Sequence, residues 1–167
     1  MHGLFLVIWE NFLAERFGNS LLHAYRIALK EDPAAVPLVS KVYEDEKLLK
    51  GVDMACKLTR MPADTLLREF GRFFVINGLT SHICAYLLSQ VKNGRELLLI
   101  MQEAHARMQG MASAIPPPFF TCELVAGHSN NFILIYDSPR QLCPVLHGAI
   151  EGAAERFGEK VYILESA

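Results

Sequence analysis

The sequence has no block of basic residues. Its 16 lysines and arginines are scattered among 18 acidic residues, for a formal net charge of −2. A surface of that kind offers nothing to neutralise a phosphate backbone, and nucleic acid is excluded as a partner. Long apolar runs are also missing. Leu4-Phe5-Leu6-Val7-Ile8-Trp9 ends at Glu10 and Asn11, whereas a membrane helix needs about 20 apolar residues. No basic segment precedes that run, so it does not read as a signal peptide. The expectation is a cytoplasmic protein that engages no membrane. The four cysteines, Cys56, Cys84, Cys122 and Cys143, form no C-x-x-C pair. A local zinc knuckle is therefore disfavoured, and reduced, mostly buried thiols are expected. No nucleophile motif occurs, so the chain does not read as an enzyme. Internal repeats, low complexity and flexible linkers are absent, which fits a single domain.

What is present is apolar bulk. Hydrophobic residues make up 51% of the 167 and charged residues 20%, a balance that forms a packed globule. The mean hydropathy of +0.21 suits an interior wrapped around an apolar cofactor. A large core fits it equally well.

Helical periodicity runs through the first two-thirds. Residues 2–17 place Phe5, Ile8, Trp9 and Phe12 on one stripe, and Gly18 stops them. Asn19 or Ser20 is suited to cap a second helix over 20–30. Pro33 and Pro37 break the chain before a helix over 44–58. Pro62 opens another that runs to about 77, and residues 80–91 and 95–112 read as two more. The period then changes to two. Residues 119–126 and 131–136 read as strands joined by Gly127-His128-Ser129-Asn130, 141–157 as a helix with Pro144 in its first turn, and 160–165 as a third strand. The sum is α+β: a helical N-terminal lobe over 1–60 and a lobe over 61–167 with a small antiparallel sheet.

Two features carry chemistry. In an extended chain Tyr136, Ser138 and Arg140 point to one side. They offer two hydroxyls and a guanidinium, a set suited to a carboxylate or phosphate. The plain alternative is a strand end with solvated polar residues. The second is His105. Its helical neighbours Leu98, Met101, Met108 and Ala112 make an apolar stripe. A histidine so placed is ordinarily a core residue with a satisfied hydrogen bond; the other reading is a metal ligand.

In order along the chain, Met1-His2-Gly3-Leu4, Glu103-Ala104-His105-Ala106, Pro116-Pro117-Pro118, Tyr136-x-Ser138-x-Arg140 and Leu146-His147-Gly148-Ala149-Ile150-Glu151-Gly152 resemble the haem-nitric oxide/oxygen binding domain, or H-NOX. This family is related to the haem domain of soluble guanylate cyclase. The resemblance implies one haem b per chain, with His105 as iron ligand beside Met101. It gives the propionates to Tyr136, Ser138 and Arg140, and makes Pro118 the residue that presses on the porphyrin. It implies a distal wall of Phe5, Trp9, Phe74, Gly78 and Val145. Oxygen-binding members place a tyrosine over the gas; Val145 stands at that position here and Phe74 at its supporting one, leaving Trp9 as the one donor with no tyrosine to orient. The implied function is an NO-selective sensor that also takes CO. Its output would pass to a separate effector, such as a histidine kinase or a cyclic-di-GMP enzyme. Some members carry a zinc-bound or redox-active cysteine cluster near the C-terminus, and Cys143 resembles one member of it. The alternative is a haem-free interaction module of the same fold.

Overall fold

The computed structural model describes residues 3–80, 82–110, 118–127 and 131–165, the side chains of 82–84 and 107–110 excepted. The elements run α1 (Gly3–Phe17), α2 (Asn19–Ala28), α3 (Asp45–Thr59), α4 (Ala63–Ile76), a 3-10 turn (Gly78–Thr80), α5 (His82–Ser89), α6 (Gly94–Gly110), β1 (Phe119–Leu124), β2 (Phe132–Asp137) and α7 (Cys143–Arg156). The fold is α+β, as the periodicity implies.

Glycine ends α1 as expected. Gly18 adopts φ 90°, a region open to glycine at no steric cost. The turn is so tight that α2 begins at once: Gly18 itself takes the N-cap position, with no side-chain cap bond. Asn19 and Ser20 therefore lie inside α2 rather than capping it. Across this turn Arg26 Nη2 donates to Glu10 Oε2 at 2.6 Å, and both side chains are largely buried. Trp9, on the same side of α1, is fully buried.

α4 and α7 pack backbone to backbone because glycines face one another. A Cβ added at Gly71 would lie 2.0 Å from the Val145 carbonyl oxygen, and one at Gly148 would lie 1.8 Å from that of Arg68. Neither position has room for a methyl group. Ion pairs flank this contact, Arg68 Nε to Glu151 Oε2 at 2.9 Å and Arg72 Nη2 to Glu155 Oε1 at 2.8 Å.

The buried residues form three clusters. The first joins α1, α2, α3 and α4 and reaches Leu142. The second lies between α4, α6 and α7 and includes Val75, Leu97 and Ala153. The third, Leu98, Phe120 and Ile150, lies under the sheet.

β1 and β2 are antiparallel, with Phe120 opposite Tyr136 and Cys122 opposite Leu134. Residues 160–165 do not form the third strand that their alternation implies. The alternation itself is realised, since Val161 and Ile163 pack on the third cluster while Tyr162 and Leu164 are 89% and 96% exposed. What is missing is a hydrogen-bonded neighbour: the sheet of the described residues holds only β1 and β2. Periodicity reports which face is buried, and a ladder needs a paired backbone as well. The cysteines are less buried than expected: Cys56 and Cys122 are half-buried and Cys143 is exposed. No helix among the described residues is long and apolar enough to cross a membrane.

Candidate functional site

His105 lies on α6, half-buried, with its ring centroid 5.9 Å from that of Phe120 on β1. Its Nδ1 is 2.7 Å from the Met101 carbonyl oxygen one turn earlier. A carbonyl only accepts, so Nδ1 is the donor, and in the neutral imidazole Nε2 is left with its lone pair. This is the tautomer of an imidazole that ligates a metal through Nε2. The satisfied-core reading explains Nδ1 but gives Nε2 no task. Of the expected stripe, the Met108 side chain and all of Ala112 lie outside what the structure describes, as do Pro116 and Pro117. Pro118 is half-buried and directly precedes β1.

The structure brings Tyr136, Ser138 and Arg140 together. Ser138 Oγ accepts from the Arg140 backbone N–H at 3.2 Å. The Tyr136 phenol hydrogen bonds with the Ser138 side chain and the Leu142 backbone, while burial raises its pKa above the ordinary value. Arg140 is largely buried and its Nε donates to Asp45 Oδ2 at 2.7 Å. Burial alone would raise the Asp45 carboxyl; the hydrogen bonds and positive charge around it, Arg140 foremost, outweigh that and hold it below its usual value. The guanidinium therefore already grips a carboxylate, 95 residues away in sequence. The donor set fits the carboxylate chemistry expected of it.

The expected distal residues are mutually packed. Phe5 meets Phe70 edge-on at 4.9 Å and Phe74 at a tilt at 5.6 Å, and Trp9 meets Phe70 edge-on at 5.1 Å. Phe5, Phe74 and Val145 are partly buried against the same cluster that holds Trp9. Gly78 is buried, and a Cβ there would lie 2.6 Å from Ile8 Cγ2. One expectation is corrected. Trp9 is not left without a tyrosine: its Nε1 donates to the Tyr25 hydroxyl at 3.1 Å, a buried bond. The α1–α2 turn delivers Tyr25 to that point. Burial in turn pushes the Tyr25 phenol far above its ordinary pKa.

Sequence spacing missed three contacts. Gln102, one turn before His105, accepts from the Cys122 backbone N–H through Oε1 at 2.7 Å. Asp45 lies 95 positions from Arg140, beyond any local spacing. Cys143 meets no other cysteine among the described residues. Its Sγ lies 3.9 Å from His147 Nε2, which is 2.7 Å from Glu165 Oε1. The Cys143–His147 spacing of four on a helix was the available signal. These three side chains border an open cleft of about 700 Å³ on the outer face of α4 and α7, away from His105.

An imidazole, a cluster of aromatic rings and a buried guanidinium beside two hydroxyls are the side chains that the sequence marks. The model of the haem-NO-binding family matches residues 2–165, and the chain belongs to that family of haem-binding gas-sensor domains. Solved structures agree on the fold. An H-NOX protein from S. oneidensis in the Fe(II)NO state superposes with a TM-score of 0.84 at 23% identity, covering 100% of this chain and 91% of that one. An oxygen-binding H-NOX domain related to soluble guanylate cyclases, in its oxygen complex, gives 0.85 at 21% identity, covering 97% and 84%. An I5F variant of the T. tengcongensis H-NOX gives 0.83 at 22% identity, covering 96% and 85%. No curated protein matches the chain.

Proposed function

We propose that this chain is an NO-selective sensor that also binds CO. It would act in the cytoplasm and signal to a separate effector such as a histidine kinase or a cyclic-di-GMP enzyme. One haem b per chain would supply an iron that takes a diatomic gas. His105 would hold that iron through Nε2, with its ring held by the Met101 carbonyl. Tyr136, Ser138 and Arg140 would take the propionates, and Pro118 would pack on the porphyrin. Phe5, Trp9, Phe74, Gly78 and Val145 would line the gas side.

The Trp9–Tyr25 hydrogen bond carries the gas preference. Dioxygen binding gains from a nearby donor, by roughly 1–3 kcal/mol for a buried bond to a strongly polar group. Val145, Phe74, Phe5 and Gly78 have no side-chain donor, and the indole N–H of Trp9 is committed to Tyr25. Nitric oxide needs no such help. Output is expected as a movement of residues 1–60 against 119–167. The ferrous protein should change its absorption spectrum with NO and with CO and show no stable change in air. A stable oxygenated spectrum would overturn the selectivity. The Asp45–Arg140 pair favours a second reading, a haem-free interaction module, because it satisfies Arg140 without a propionate. Purification without a Soret band despite haem supply would decide for it.

A further inference from the structure

The residue that bears the axial donor is not the one that fixes where its helix sits. Gln102 and His105 are three apart on α6 and share a face. Successive N–H groups of an antiparallel strand alternate between the paired side and the open side. The Cys122 N–H is spent on the open side of β1, where the Gln102 carboxamide oxygen accepts it at 2.7 Å. Phe120, two residues before Cys122, lies on the same face of β1 and stacks against the His105 ring. The two contacts span one turn of α6 and three residues of β1. Phe120 is also opposite Tyr136 across the strand pair. The grip of Gln102 thus ties the His105 turn to the strand pair that ends in the Tyr136–Arg140 motif.

We infer that Gln102 is the positioning residue for His105, fixing the rotation of α6 against β1 and with it the direction of Nε2. The inference rests on the haem reading above. The Phe120 ring and the buried Leu97 and Leu98 fix how deep α6 lies and leave small rotations of the helix open, since the hydrophobic effect itself is non-directional. A hydrogen bond to a strand amide does not allow this, because donor and acceptor must stay aligned. With Gln102 in place, Nε2 meets the iron without a search over helix rotations. Without it, the bond to His105 competes with a broader set of orientations and is released more readily.

The test compares the full chain with Gln102→Leu, which keeps the bulk and loses the acceptor, and Gln102→Glu, which restores an acceptor oxygen. Two readouts are taken. Hydrogen exchange of the Cys122 amide in haem-free protein should accelerate roughly three- to tenfold in Gln102→Leu and return toward the parent in Gln102→Glu, the span of a typical net hydrogen bond. The ratio of six- to five-coordinate iron in NO-treated ferrous protein should fall by a similar factor in Gln102→Leu and recover in Gln102→Glu. A substitution that merely loosens the fold would lower the melting temperature without this rescue pattern. Unchanged amide exchange removes the hydrogen bond, and an unchanged coordination ratio removes the positioning role. If the parent protein takes up no haem, the haem reading fails and the inference falls with it. A Soret band with an indifferent ratio sinks the inference alone.

Discussion

Two regions of the molecule are held by different physics. On the α1–α4–α7 side, shape does the holding. Phe5, Trp9, Phe70 and Phe74 interlock, and Gly71 and Gly148 leave no room for a methyl group. On the α6 and sheet side, a smaller apolar cluster of Leu98, Phe120 and Ile150 is joined by single polar contacts: His105 on the Met101 carbonyl, Gln102 on the Cys122 amide, Arg140 on Asp45. A jigsaw has one arrangement, and a polar contact can change partner for one of equal strength. In the function proposed above, the rigid region would define what enters and the exchangeable one would register that it has entered.

The largest expected effect breaks the exchangeable side outright. His105→Gly removes the axial donor, and haem per chain should fall to near zero unless imidazole is supplied. Normal haem content with an unchanged ferrous spectrum would take His105 out of the site. On the rigid side, Gly148→Ala forces a Cβ into the Arg68 carbonyl and should cost about 3 kcal/mol, at the upper end of overpacking penalties. Thermal melting of the haem-free protein checks it; a shift of a degree or less would show that the helices separate freely.

Next comes the anchor. Arg140→Ala should lower haem retention more than Ser138→Ala, because it removes the charged partner of a carboxylate. Asp45→Asn sharpens the point: if Asp45 and a propionate compete for Arg140, this variant should hold haem at least as tightly as the parent. Weaker retention would mean that Asp45 serves to aim the guanidinium. The sign with pH is fixed by the lowered Asp45 pKa. Stability from this pair is present above the usual carboxylate value of about 4 and is lost as pH falls below it.

Val145→Tyr places a hydroxyl on the rigid wall and should confer weak oxygen binding, read as a spectral change in air. Absence of any change, with NO binding intact, would show that the Val145 position does not face the gas. The smallest effect concerns Cys122. Burial raises its thiol from 9.0 to about 11. The folded state therefore keeps a proton that the unfolded state sheds, and stability falls as pH rises from about 9 through about 11. Cys122→Ala should flatten that alkaline slope in a denaturant titration and leave the neutral range alone.

The helices were legible because each has an apolar stripe and a glycine or proline near an end, as with Gly18 and Pro62. The third strand was misread because alternation in residues 160–165 records burial, and pairing is set by a backbone elsewhere. Of the site, His105 and the Tyr136–Arg140 triplet were visible as local patterns. Their partners were not. Asp45 reaches Arg140 across 95 positions, and Tyr25 reaches Trp9 only because a one-residue turn folds α2 onto α1. Contacts of that kind depend on how elements cross, which no local spacing encodes. Gln102 is different: its spacing from His105 was in plain view, but its acceptor role depends on where β1 lies.

The register of β1 on β2 has a consequence for length. Side chains alternate along a strand, so a slip of one residue in either strand would turn that strand's side chains to the opposite face and separate Phe120 from Tyr136, which now share one. A slip of β1 would take the ring neighbour from His105, and a slip of β2 would turn the Tyr136 phenol away. An inserted or deleted residue within 119–124 or 132–137 therefore undoes what that strand supplies. The same change between Val125 and Asn131, whose backbone bond of 3.2 Å closes the hairpin, falls where loops absorb length. Natural drift in this domain should accordingly show gaps in the turn and none in the strands.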